Sequence, residues 1–214
     1  MISKRRLLGV DRSGPPPPET LSDQPLNPWT IPNAIGFVRL ALIPVFLVVA
    51  FSSNNGHDAL AVVLFAVIGW ADYLDGFAAR LTGQYSRLGT LLDPIVDRLL
   101  VVSGMAVAWR FSLLPRWAIA LVVARELLVL AFSRYGMRHG VELKINWPGR
   151  LSVAPIMGAP FFAMASLHWL ALVSLYLGMA LSLIATVLYL RRGLTEIRRR
   201  GADTLGHGEL SSSD

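Results

Sequence analysis

Six apolar stretches dominate this 214-residue chain, each near the roughly 20 helical residues that span a bilayer. They run over Ile31–Ser53, Ala59–Ala79, Leu88–Trp109, Leu113–Ser133, Leu151–Leu167 and Trp169–Leu190. In hydrocarbon each backbone N–H and C=O must find a partner without water, so only helices and closed barrels span. No window alternates apolar and polar residues as a strand would. The pattern predicts an all-α integral membrane protein with six transmembrane helices. Pro155 and Pro160 interrupt the fifth stretch, where a kink is expected.

The remainder divides around these stretches. Residues 1–30 read as a basic, Pro-rich tail, in which Ser13–Glu19 holds four consecutive prolines and favours an extended polyproline conformation. No apolar core follows the basic start, so a cleaved signal peptide is not expected. Residues 31–192 form the expected six-helix domain. Residues 193–214 read as a polar tail, expected to be disordered from Gly201 onward. Trp29, Trp109, Trp117, Trp147 and Trp169 lie at the ends of stretches, as interface anchors do.

Lysine and arginine in short connections orient a membrane protein. One side receives Lys4, Arg5, Arg6 and Arg12, then Arg80 and Arg87, then Arg134, Arg138, Lys144 and Arg150, then Arg191, Arg192 and Arg198 to Arg200. The other receives only Arg110 and Arg116. Both termini are therefore expected in the cytoplasm, with the chain in the cell membrane. The formal net charge of +6 is spread between apolar spans, with no basic helix or aromatic-basic module, so nucleic acid is not an expected partner. Anionic lipid headgroups are. Cysteine is absent, which excludes disulfides, a thiol nucleophile and a thiolate metal site.

Against this apolar background stand Asp72, Asp75, Asp93 and Asp97. A carboxylate in a membrane helix is costly and marks a functional site by default. A solvated helix end or a salt bridge to Arg80 or Arg98 would account for one of them, but not for four. If the second and third stretches form an antiparallel hairpin turning near Gln84 and Tyr85, Asp72 lies at the depth of Asp97, and Asp75 at the depth of Asp93. Spacings of three and four put each pair on one helix face. At 1.5 Å of rise per residue, Asp72 lies roughly 12 Å below Arg80, just inside the cytoplasmic headgroups. Four adjacent carboxylates need counter-charge, and hard oxygen donors suit two Mg²⁺ or Mn²⁺ ions. Two such ions clamp a phosphoryl displacement. Gly76 gives a diphosphate room to approach the backbone.

The spacing Asp72-x2-Asp75-Gly76-x2-Ala79-Arg80-x8-Gly89-x3-Asp93-x3-Asp97 resembles the full signature of the CDP-alcohol phosphatidyltransferases. Thr30-Ile31-Pro32-Asn33, with Arg39 further on, resembles the start of the phosphatidylglycerophosphate synthase and cardiolipin synthase branch. The resemblance implies that Asp72, Asp75, Asp93 and Asp97 bind two metal ions and that Asp97 takes the proton of the acceptor alcohol. It also implies that Asn33, Gly76, Arg80 and Ser86 contact CDP-diacylglycerol. The alcohol would attack the phosphorus bonded to diacylglycerol, and CMP would leave. Homodimers are common in the family.

The acceptor is read from cations beyond the signature. Arg125, beside Glu126 inside the fourth stretch, with Arg134 and Arg150 in or after it, would suit a phosphorylated alcohol such as glycerol 3-phosphate. The phosphatidylglycerophosphate synthase branch often carries Gly-Lys-x-Lys-Thr-x-x-Gln here. Gly149-Arg150-Leu151-Ser152 keeps only the glycine and a basic residue, which leaves phosphatidylglycerol open as acceptor and inositol-phosphate transfer behind it. A cation transporter would spread its acids along a path across the bilayer, usually in two related halves. Here the acids cluster at one depth, and no second half mirrors the first.

Overall fold

The computed structural model describes residues 25–138 and 147–210, with side chains described at 25–129, 131, 151–188, 190 and 191. Most of the N-terminal tail, His139, Lys144 and residues 211–214 lie outside the described residues. So do the side chains of Arg134, Arg138, Trp147 and Arg150. The described residues form six helices and no strand. They are α1 (Ile31–Ser52), α2 (Ala59–Thr82), α3 (Arg87–Arg110), α4 (Arg116–Arg138), α5 (Trp147–Met164) and α6 (His168–Leu210).

The starts follow capping chemistry. Thr30 accepts from the Asn33 N–H at 3.3 Å, with Pro32 in the first turn of α1. Asp58 accepts from the Ala61 N–H at 3.0 Å and opens α2. Ser86 accepts from the Gly89 N–H at 3.0 Å and opens α3. α2 ends on Gly83 at φ 67°, a left-handed position that costs glycine nothing.

Several helix ends depart from the apolar limits: α2 runs on to Thr82, α4 to Arg138, and α5 starts at Trp147. α4 starts at Arg116 rather than Leu113, because Pro115 holds the residue before it out of helical conformation. α6 runs 43 residues to Leu210, through the stretch from Gly201 that was expected to be disordered. It contains no proline, and extending an existing helix costs far less than nucleating one. α5 runs through Pro155 and Pro160 without a break.

Among the described residues three helices are long and apolar enough to cross a membrane: α1, α2 and the Ile-, Leu- and Ala-rich part of α6, His168–Leu188. α3 and α4 carry charges along their length, and α5 has a shorter apolar run, Leu151–Met164. Large apolar side chains face outward, among them Val48, Trp70 and Leu81, as lipid contact requires. The chain is a helical membrane protein.

The described residues up to Leu113 form one compact unit with Pro160–His168; 114–159 and 169–210 form another. In the first, α1, α2 and α3 pack on one another. Phe46 and Phe65 meet edge to face at 5.4 Å, and Ile68, Val96 and Leu100 are also buried. The link between α1 and α2 is tied down by His57, whose Nδ1 lies 3.1 Å from both the Met164 carbonyl and the Ser166 hydroxyl. In the second unit Gly178 lies against Ile156, and Trp117 stacks on Tyr176 at 6.0 Å.

Candidate active site

The link between α2 and α3 is four residues long, Gly83 to Ser86, so the two helices form the hairpin read from the sequence. Their aspartates converge as the depth argument requires. Arg39 of α1 donates from Nη1 to Asp72 Oδ1 at 3.0 Å and Asp75 Oδ2 at 2.9 Å, and from Nη2 to Asp97 Oδ1 at 2.7 Å. Its Nε donates to the Ile68 carbonyl at 3.1 Å. Asp93 lies within Coulombic reach of the other three. Asp75 is buried, whereas Asp72 and Asp97 keep 45% and 31% of their side-chain surface open.

A second polar knot closes the turn end of the hairpin. Asn33 is buried, its Nδ2 donating to the carbonyls of Asn27 at 2.9 Å and Pro28 at 3.2 Å. Its Oδ1 accepts from Ser86 Oγ at 2.8 Å. Gly89 permits this bond, because a Cβ there would stand 2.9 Å from Asn33 Oδ1 and 3.2 Å from Ser86 Oγ. The Leu88 N–H donates to the Leu26 carbonyl, and the Ile31 N–H to Gln84 Oε1. The segment entering α1 is thus latched onto the α2–α3 turn. Arg80 folds over Gly76, with its Nη1 3.3 Å from where a Cβ would be.

The expected residues Asp72, Asp75, Asp93, Asp97, Asn33, Gly76, Arg80 and Ser86 all belong to the first compact unit. Arg125 belongs to the second, where its Nε donates to Thr186 Oγ1 at 2.8 Å and its Nη1 pairs with Glu126. Arg134 and Arg150 lie outside the described side chains. The residue that the site reading omitted is Arg39. The same cost of intramembrane charge that singled out Arg125 applies to it, and would have marked it.

The donor set can be tested for metal. Among the described residues no three acids or histidines form a closed metal cage, and Arg39 stands where three of the carboxylates meet. Yet the single charge of Arg39 does not balance the three carboxylates it meets. Arg39 takes one oxygen each of Asp72, Asp75 and Asp97, and each carboxylate has a second. The chemistry of the donors therefore fits hard divalent cations.

Comparison with known proteins agrees with this geometry. A family model described as CDP-alcohol phosphatidyltransferase matches residues 29–188, a range that holds both the aspartate constellation and the Asn33 knot. The chain belongs to the CDP-alcohol phosphatidyltransferase family, and it is an enzyme of phosphatidyl transfer. That family is generally dependent on divalent metal. The chain is 34% identical over 180 residues to a CMP-forming cardiolipin synthase of Streptomyces coelicolor, covering 79% of this chain and 83% of that one. It is 31% identical over 172 residues to a probable phosphatidylglycerophosphate synthase of Mycobacterium tuberculosis, covering 77% and 82%. It is 30% identical over 188 residues to a CDP-diacylglycerol–glycerol-3-phosphate 3-phosphatidyltransferase of Shigella flexneri, covering 83% and 98%.

Proposed function

We propose that the chain transfers a phosphatidyl group from CDP-diacylglycerol to glycerol 3-phosphate, releasing CMP and forming phosphatidylglycerophosphate. The observation that carries the reading is the convergence of Asp72, Asp75 and Asp97 on one buried guanidinium, with Asp93 beside them. The relatives from Mycobacterium tuberculosis and Shigella flexneri, whose names give this product or acceptor, support it.

In this reading Asp72, Asp75, Asp93 and Asp97 would hold two Mg²⁺ or Mn²⁺ ions, which would supply positive charge to the phosphates when bound. Asp97 accepts the proton of the acceptor hydroxyl. Arg39 engages only its Oδ1, and its side chain is open enough for an acceptor to reach. The freed alkoxide oxygen forms a bond to the phosphorus that carries diacylglycerol. The anhydride bond from that phosphorus to the cytidylate oxygen breaks, and CMP departs with the electron pair. Arg80, over Gly76, binds the diphosphate. Ser86 Oγ already donates to Asn33 and accepts from Gly89, so it meets substrate with its remaining lone pair. Asn33 supports that hydroxyl.

The same proposal includes six spans, both termini in the cytoplasm, the aspartates near the cytoplasmic face of the cell membrane, and a homodimer. It also takes 31–192 as the catalytic domain and assigns the acceptor phosphate to Arg125, Arg134 and Arg150.

A second reading, cardiolipin synthesis with phosphatidylglycerol as acceptor, is favoured by the likeness to the Streptomyces coelicolor enzyme and by the altered stretch at Gly149-Arg150. Both acceptors present a glycerol hydroxyl next to a phosphate. One assay separates them. Purified protein, CDP-diacylglycerol and Mg²⁺ are mixed with glycerol 3-phosphate, phosphatidylglycerol, inositol phosphate or serine, and CMP release and lipid product are followed. Phosphatidylglycerophosphate is the expected product. Cardiolipin from phosphatidylglycerol, with nothing formed from glycerol 3-phosphate, would replace the acceptor and keep the reaction class.

A further inference from the structure

Arg39 is the only charged residue of α1 and is fully buried. An arginine at such a position is expensive, and burial is tolerated only when every donor finds a partner. Its three nitrogens reach three carboxylates on two other helices and one backbone carbonyl, at 2.7 to 3.1 Å. Arg39 lies outside the Asp72–Asp97 spacing pattern, and in the site as built it touches one oxygen from each of three aspartates.

We propose that Arg39 is a positioning residue: a cation built into the chain that holds Asp72, Asp75 and Asp97 together before any divalent ion arrives. By engaging one oxygen of each, it sets the direction in which the other oxygen is presented. It also joins α1 to the α2–α3 hairpin through charge rather than apolar contact alone. Arginine suits this task because its planar fork spreads several donors over separate atoms, whereas lysine offers a single point charge. Asp75 depends on it most, being the most buried of the three. The proposal rests on the metal-site reading only where it concerns metal; the metal-free part stands alone.

The test is the thermal midpoint of the full chain in detergent, measured in chelator and in saturating Mn²⁺. Arg39→Gln is expected to lower the midpoint in chelator by roughly ten degrees, since it strands buried carboxylates without their cation. Arg39→Lys, which keeps the charge but cannot span the same partners, is expected to lose about half as much. Adding Asp75→Asn to Arg39→Gln removes one stranded charge and should recover several degrees in chelator. Mn²⁺ should narrow the gap between Arg39→Gln and the native protein. If Arg39→Gln does not fold, recovery of folded protein in the double variant is the supporting result. An equal loss in the single and double variants, or failure of both to fold, would show that Arg39 only fills space and would overturn the proposal. Recovery in the double variant with no effect of Mn²⁺ would leave the role of Arg39 standing and count against the metal reading.

Discussion

The aspartates differ in how open their side chains are. Asp97 and Asp72 keep a reachable carboxylate edge, while Asp75 is closed in. If the metal clamp supplies most of the catalysis, Asp72→Asn, Asp75→Asn or Asp93→Asn should each cut CMP release by about three orders of magnitude or more. Chelator should do the same to the native enzyme, and Mg²⁺ or Mn²⁺ should restore it. Full turnover in chelator would remove the metal from the mechanism. Asp97→Asn should instead abolish transfer while CDP-diacylglycerol binding stays near native, because a missing base need not empty the donor site. Binding and turnover measured on one preparation decide this. The four acids were legible in the sequence because charge in an apolar stretch has few explanations. Arg39 carried the same mark, but its three partners lie 33, 36 and 58 residues away, and no local pattern names partners at that distance.

The helices around the site meet through glycines that differ in what a side chain would strike. A Cβ at Gly36 would stand 2.7 Å from Leu92 Cδ2, the free end of a flexible side chain. At Gly104 it would stand 2.6 Å from Phe65 Cε2 and 3.0 Å from two ring atoms of Pro160, which has little freedom to move. Gly104→Ala should therefore destabilise by about 1–3 kcal/mol, the usual cost of overpacking, and Gly36→Ala by clearly less. Thermal midpoints of the two variants in one detergent test the ranking, and a larger loss at Gly36 would contradict it. The apolar limits alone placed the starts of α1, α2 and α3 within a residue of where Thr30, Asp58 and Ser86 cap them. The run of α6 to Leu210 was not, because polarity alone does not separate an exposed helix from a disordered tail.

For the molecule as a whole, orientation is open to direct labelling, since the chain has no cysteine of its own. A cysteine placed at Gln84, in the exposed α2–α3 link, should react only from the cytoplasmic side, and one at Asn55, in the exposed α1–α2 link, only from the other. Reaction of both from one side would break the crossing of α2 on which the depth of the aspartates depends. Among the described residues three helices meet the length and apolarity of a span on their own composition. The proposed count of six rests on accepting charged residues inside α3 and α4, which is the exception that function imposes on membrane helices.

From residue order alone came the helical class, the hairpin and the identity of its four acids, because each follows from local spacing: apolar length, and carboxylates three or four residues apart. Tertiary structure alone decided that α1 supplies the cation among those acids. It also decided that Ser86 donates to Asn33, and that Arg125 is paired with Glu126 and Thr186. The physical reason is that a buried polar group must be satisfied, but which distant group satisfies it depends on how the helices pack.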